Sequence, residues 1–164
     1  YDKSFLYGIN KNTTILIPSY RDKTFKKDFE SLDLNVIEIQ DIQKFNLSDN
    51  FWIKPYTSHI GINHDSAILI STKDFNFFNQ NDCKIFDRLP EIDVDIDYYS
   101  VQFSGATWHP SNFFMTDQQK KEISHNKVNN KLNSVLNGIN ILRPKYFIPA
   151  AGPAIFPKFF LMVI

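Results

Sequence analysis

The sequence is poor in several features that usually reveal a function. It has one cysteine, Cys83, so an internal disulfide is excluded and a reducing, cytoplasmic location is expected. Five glycines are too few to suggest a glycine-rich phosphate loop, and Ser104-Gly105 lacks the flanking glycine of a nucleophile elbow. No apolar run approaches the roughly 20 residues that span a bilayer, so no membrane partner is expected.

The charge balance is also uninformative, because 18 Lys and Arg offset 18 Asp and Glu. A net charge of zero provides no basic field for a phosphate backbone, so no nucleic-acid partner is expected. The 164 residues are 43% hydrophobic and 22% charged, which is typical of a globular protein. This composition predicts one domain over 1–164, long enough to bury a sizeable core.

Apolar periodicity predicts an α/β fold. Strands are expected over 14–17, 36–39, 51–56, 66–70, 75–78, 97–103 and 146–148, with 66–70 and 75–78 forming a hairpin. A first helix, capped by Ser19 with Asp22, would place Phe25, Phe29 and Leu32 on one face. The longest helix, roughly 117–140, begins at a capping box of Thr116 and Gln119. Its buried face is predicted to carry five residues: Val128, Leu132, Val135, Leu136 and Ile139.

Two polar residues that follow strands are candidate metal ligands. His59 follows the strand over 51–56, and Asp82 follows the strand over 75–78. Imidazole and carboxylate groups at neighbouring strand ends can converge on one zinc or iron ion. On spacing alone, the alternative of a loop histidine and a turn aspartate is favoured. Cys83 is interpreted as a small packed hydrophobe rather than a ligand or nucleophile, and His125 as a half-buried helix residue.

The same stretches resemble a known family. The segment Phe51–His59 resembles the strand and turn that carry the third metal motif of metallo-β-lactamase-fold proteins, and Phe77–Cys83 resembles the strand that ends in the fourth. The branch most similar is that of CMP-N-acetylneuraminate hydroxylase and Rieske-linked proteins. The matching segments are Asp65–Ile70, Asn81–Lys84, Gln102–Trp108 and Leu142–Pro153. The resemblance covers most of 10–157 and implies part of an αββα sandwich with mixed sheets.

Two motifs of that family are missing from the chain. The leading His-x-His-x-Asp-His motif would precede Tyr1, so 1–164 is expected to be the C-terminal two-thirds of such a domain. The fifth motif, a histidine, is replaced by alanine and glycine within Ile148–Pro153, as also occurs in the hydroxylase-like branch. The apolar residues 159–164 are expected to pack on missing chain or to be a frameshifted end. Two ligands alone cannot form a catalytic metal site.

The resemblance implies a metal-dependent hydrolase or oxygenase with one or two zinc or iron ions. Asp82 would bridge or orient the metals, and His59 would be a terminal ligand. A small polar substrate, with a sugar or a nucleotide, would contact Ser104, Gly105 and Trp108, while His109 would act as acid, base or extra ligand. The alternative for this loop is a tight turn closed by a buried Trp108. A Rieske domain or redox partner is expected, and the competing hypothesis is a non-catalytic binding or structural module.

Overall fold

A computed structural model describes residues 3–59, 65–103 and 109–150. The substrate-loop candidates Ser104, Gly105 and Trp108 lie outside these ranges, as do the apolar residues 159–164. The elements in chain order are α1 (Lys3–Tyr7), β1 (Thr14–Pro18), α2 (Thr24–Glu30), β2 (Asn35–Ile39), β3 (Phe45–Ser48), β4 (Phe51–Thr57), β5 (Ser66–Thr72), β6 (Asn76–Asn81), a 3₁₀ helix (Phe86–Glu91), β7 (Tyr98–Gln102), α3 (Asp117–Leu142) and β8 (Tyr146–Ala150).

The first forty residues form the predicted strand, helix and strand. β1 and β2 pair in parallel, with α2 as the crossover connection that such a pair needs, and make a two-stranded sheet. A small core of Leu6, Ile17, Phe29 and Leu34 lies between this sheet and the helices. The predicted cap of α2 is only half right. The Asp22 carboxylate accepts hydrogen bonds from Thr24, whereas Ser19 accepts one from the Lys23 ammonium, 3.1 Å away.

The other six strands form a mixed sheet in the order β3-β4-β5-β6-β7-β8. Pairing is antiparallel from β3 to β6 and parallel from β6 to β8. The predicted hairpin is confirmed as β5 and β6, and the α/β class is confirmed. β3 was not predicted, because it is four residues long, with three exposed side chains and no apolar alternation.

The register divides the side chains of this sheet between two faces. One row, which we call the covered row, joins Leu69, Phe78, Tyr99 and Phe147 across β5 to β8. The first three are completely buried under α3 and the 3₁₀ helix. The neighbouring row on the opposite face, which we call the open row, joins four residues: Ile70, Phe77, Tyr98 and Tyr146. Its side chains are half-buried or exposed within the described part of the chain.

The long helix begins as predicted but is covered less than predicted. Thr116 and Gln119 form the capping box, and α3 continues to Leu142, where Arg143 adopts a left-handed conformation before Pro144. The expected buried stripe is wrong at Val128, Leu132 and Leu136, which are exposed. The buried residues of α3 are Val135 and Gly138, and Ile139 and Leu142 also pack against the core. In its second half, α3 thus turns this face to the core, and Leu132 and Leu136 lie on a neighbouring, uncovered face.

Two further observations concern α3 and the helices as a group. His125 is exposed, which contradicts the prediction of a half-buried histidine, because the first half of α3 extends past the sheet. Among the described residues, no helix is both long enough and apolar enough to cross a bilayer.

Candidate functional site

The candidate site lies at one edge of the six-stranded sheet. β4 and β6 both run antiparallel to β5, and β6, β7 and β8 are parallel, so β4, β6, β7 and β8 all end at this edge. Thr57 pairs with Ser66, Asn81 with Val101 and Gln102 with Ala150. The segments that leave these strands therefore emerge side by side. His59 follows β4, Asp82 follows β6 and, further along the chain, His109 follows β7.

His59 stands two residues beyond the end of β4. Its side chain is 67% exposed, and Nε2 lies 3.7 Å from Oδ2 of Asp41, in the loop between β2 and β3. That distance is longer than a hydrogen bond but short enough for an attraction between a carboxylate and an imidazolium. The residue is thus presented to solvent with a carboxylate beside it.

Asp41 belongs to a charged cluster centred on Arg88 of the 3₁₀ helix. The Arg88 side chain is only 7% exposed. It donates to both Asp41 oxygens, at 3.2 and 2.9 Å, to Glu91 at 2.7 to 3.1 Å, and to the carbonyl of Thr57. All five guanidinium N–H groups are thereby used. Sequence reasoning missed this cluster, because Arg88 and Asp41 are 47 residues apart and in no recognisable motif.

The cluster shifts the ionisation of its carboxylates. Burial alone would raise the pKa of Asp41, but hydrogen bonds from Arg88 and from the Thr57 N–H outweigh it and lower that pKa. The hydrogen bond from Arg88 lowers the pKa of Glu91, and the pKa of Arg88 is raised chiefly by its bond to Glu91. Both acids are therefore charged at neutral pH.

Asp82 follows β6 directly, and its side chain is exposed. The preceding residue, Asn81, has φ of 49°, a left-handed conformation that turns the chain at the strand end. A second carboxylate, Asp65, precedes β5 at the same edge. Burial, together with the charge of Asp82, raises the pKa of Asp65. Asp65 was not predicted as a site residue, although its position one residue before a buried strand was a usable signal.

Cys83 is held in the core next to these acids. Its thiol is buried, and burial, followed by the charge of Asp65, raises its pKa to about 12. A protonated buried thiol is neither a nucleophile nor a ready ligand, which agrees with the packed-hydrophobe interpretation. The Cys83 carbonyl accepts from Gln80 Nε2 at 2.9 Å, and Gln80 Oε1 accepts from Tyr99 Oη at 2.5 Å. This chain of hydrogen bonds fixes the backbone beside Asp82.

His109 is half-buried and contacts α3. Its ring packs edge-on against Phe113, with centroids 4.8 Å apart, and its carbonyl accepts from Lys127 Nζ at 3.2 Å. One helical turn further along α3 is Lys131. Burial lowers the pKa of its ammonium group, although the charge of Asp82 acts in the opposite direction. The same helix face thus borders both His109 and Asp82. A groove of about 380 Å³ lies further along this surface, lined by Pro110, Ser111, Lys120, Lys121, Ser124, His125 and Val128.

The described residues do not by themselves complete a metal site. Within 3–59, 65–103 and 109–150, no group of three or more His, Cys, Asp or Glu lies close enough to hold a metal ion. His59 and Asp82 suit zinc or iron in donor type, but such a site needs at least one more protein ligand. The assignments of His59 and Asp82 as ligands and of His109 as a catalytic group remain predictions.

Comparison with known proteins finds relatives that are named as Rieske iron-sulfur proteins. No family model matches the chain. A protein of Mycolicibacterium smegmatis, named a Rieske 2Fe-2S iron-sulfur protein, is 27% identical over 158 residues, or 90% of this chain and 30% of its own length. Two proteins from strains of Mycobacterium tuberculosis with the same kind of name are 24% identical over 161 residues, with the same coverage. The chain therefore spans about 30% of the length of the curated relatives it matches and is similar to part of proteins named for a Rieske iron-sulfur centre.

Proposed function

We propose that the chain is the metal-binding part of an iron-dependent oxygenase or related oxidoreductase that works with a Rieske iron-sulfur centre. One observation carries this proposal: the segments bearing His59, Asp82 and His109 leave the sheet at the same edge. The names of the relatives support iron and a redox role. They lend no support to zinc or to hydrolysis.

The Rieske cluster itself does not fit this chain. Such a cluster requires two cysteine and two histidine ligands. The 164 residues contain one cysteine, which is buried with a raised pKa. We therefore assign the cluster to a separate Rieske domain or redox partner that exchanges electrons with this chain. The single buried thiol also agrees with a reducing, cytoplasmic compartment.

The proposed site holds one or two iron ions between His59, Asp82 and ligands from outside the described residues. When bound, such an iron supplies the binding and activation of dioxygen. His59 would serve as a terminal ligand, and Asp82 would bridge or orient the metal. Asp65, beside Asp82, raises the negative charge of the site and favours a cation there.

The substrate we propose is a small polar molecule, with a sugar or a nucleotide. Three residues that follow β7 would bind it: Ser104 and Gly105 would contact it, and Trp108 would stack on it. His109 follows these residues and donates or accepts a proton. Its ring is fixed against Phe113 and its carbonyl against Lys127, so its backbone position is set by α3.

We also propose that the six-stranded sheet is one layer of an αββα sandwich of the metallo-β-lactamase type. The open row of Ile70, Phe77, Tyr98 and Tyr146 supports this, because an apolar sheet face is normally packed on another layer. The second layer would include chain outside the described residues.

The test is the iron content of the intact protein relative to acid-labile sulfide. A [2Fe–2S] cluster contains equal iron and sulfide, so iron in excess of sulfide reports the proposed site. We expect excess iron in the wild type and its loss in His59→Ala and in Asp82→Ala, with the sulfide content unchanged. The control is His125→Ala, an exposed histidine on α3, which should retain the excess iron.

A non-catalytic module is the second candidate, favoured by the lack of a three-ligand group among the described residues. A wild type without excess iron, or with excess zinc in its place, would contradict the iron proposal. Excess iron that survives both substitutions would contradict the ligand assignment.

A further inference from the structure

We infer that Asp41 and Arg88 form a positioning pair that sets the orientation of His59. Neither residue belongs to the metal motifs that the chain resembles, and both lie in segments other than the one that joins β4 to His59. The inference rests on the proposed function, since it concerns a ligand of that site. Its geometry, however, is independent of whether a metal is bound.

The pair holds the backbone just before His59 from both sides. Asp41 Oδ1 accepts the N–H of Thr57 at 2.6 Å, and Arg88 Nη1 donates to the Thr57 carbonyl. Thr57 is the last residue of β4, and its neighbour Ser58 donates to the Asp65 carbonyl at 2.8 Å. The direction in which the chain leaves the strand is therefore fixed two residues before His59.

The carboxylate of Asp41 then faces the imidazole. Oδ2 lies 2.9 Å from Arg88 Nη2 and 3.7 Å from His59 Nε2, so the guanidinium locks the oxygen that faces the ring. One ring nitrogen faces the carboxylate, and the other remains for a metal. A carboxylate that accepts the ring N–H of a ligating histidine fixes its tautomer and ring orientation, and loss of such a partner typically lowers metal affinity 10–100-fold. Asp41 Oδ2, 3.7 Å from the exposed ring, comes within reach of this hydrogen bond by a small rotation of that ring.

Arg88 is suited to this task in a way that lysine is not. It spans Asp41, Glu91 and Thr57 with one rigid planar fork and keeps its charge although it is buried. A lysine ammonium would meet at most part of this set and would leave a carboxylate oxygen or the Thr57 carbonyl without its donor. Arg88 thus joins the 3₁₀ helix to the loop after β2 and to the end of β4.

The test compares single variants of the intact protein. Asp41→Asn and Arg88→Lys each alter the pair, and Asp93→Asn is the control. Asp93 pairs with Lys54 on the sheet surface, so its substitution removes one ion pair without touching His59. The first readout is the side-chain ¹⁵N NMR signal of His59 in metal-free protein, assigned with His59→Gln. We expect Asp41→Asn to change the tautomer balance of His59 and Asp93→Asn to leave it as in the wild type.

The second readout is the affinity for the iron in excess of sulfide. We expect it to fall at least about tenfold in Asp41→Asn. An unchanged His59 signal in folded Asp41→Asn overturns the positioning role even if the wild type binds iron. A changed signal in a protein whose wild type binds no excess iron supports the positioning role and contradicts the proposed function instead. If Arg88→Lys fails to fold, Asp41→Asn alone decides.

Discussion

The two faces of the six-stranded sheet differ sharply although they share the same strands. Phe78 is completely buried against α3, while its neighbour Phe77 points to the opposite face and is half-buried. Tyr99 and Tyr98 differ in the same way one strand further along. These strands place large apolar side chains on both faces of the sheet. The open row therefore has the composition of a face that packs against another layer.

The covered row is packed by elements within the described residues, whereas the open row is left for another layer. Under the covered row lie α3, the 3₁₀ helix and a satisfied hydrogen-bond chain through Tyr99, Gln80 and Cys83. On the open row, Tyr98 stacks on Tyr146 with ring centroids 5.2 Å apart, yet Tyr146 remains exposed. The candidate site lies at the edge that both faces share.

The largest expected effect is that of Phe78→Ala, matched with Phe77→Ala. Removing the buried Phe78 ring should cost about 3–5 kcal/mol of unfolding free energy. If a second layer covers the open row, Phe77→Ala should come within about 1–2 kcal/mol of that cost. Hydrogen exchange of the β5–β7 amides in the intact protein measures both. A nearly neutral Phe77→Ala would contradict the proposed sandwich.

The next effect concerns the contact between α3 and the covered row. A Cβ on Gly138 would lie 2.8 Å from Tyr99 Oη and 3.1 Å from Leu89 Cδ1. Gly138→Ala should therefore destabilise by about 1–3 kcal/mol through overpacking, against the helix propensity it gains. The exposed neighbour provides the control, since Asn137→Ala should be neutral or stabilising. In a Tyr99→Phe background, which removes the crowded hydroxyl, Gly138→Ala should cost less than it does in the wild type. Thermal unfolding of both single variants and the double variant checks this.

The elements that were predicted correctly depend on local chemistry. The hairpin of β5 and β6 follows from two apolar runs around Ser71–Asp74, and the start of α3 follows from the Thr116 and Gln119 capping box. The exposed part of the predicted stripe on α3 was missed, because periodicity defines neither which side of a broad stripe faces the core nor how far the core extends along the helix.

The candidate site was predictable in part for the same reason. His59 and Asp82 were selected as candidates because each follows a strand, which is visible in the sequence. Asp41 and Arg88 were not, since their pairing depends on the loop after β2 meeting the 3₁₀ helix across 47 residues.

A smaller effect distinguishes two buried tyrosines on the covered face. Tyr99 donates to Gln80, so Tyr99→Phe leaves a buried amide oxygen unpaired and should cost about 1–2 kcal/mol. Tyr56 Oη is buried without a hydrogen-bond partner among the described residues. Tyr56→Phe should therefore be neutral or stabilising, since it removes an unsatisfied polar group. Urea unfolding compares the two, and an equal loss would show that Tyr56 has a partner outside the described ranges.

The smallest expected effect is that of Asp41→Asn on stability. Its pH dependence distinguishes the charged edge of the sheet from the apolar faces. Asp41 has a lowered pKa in the folded protein, so its pairing stabilises the fold above the unfolded pKa of about 4 and is lost as pH falls through the lower folded value. The advantage of the wild type over Asp41→Asn should therefore be present at pH 7 and shrink below about pH 4. The cost of Phe78→Ala should not change in this way, because no titrating group is removed. Thermal unfolding across pH tests both, and an Asp41→Asn difference that persists at the lowest pH would mean that Arg88 is not paired with an ionised Asp41.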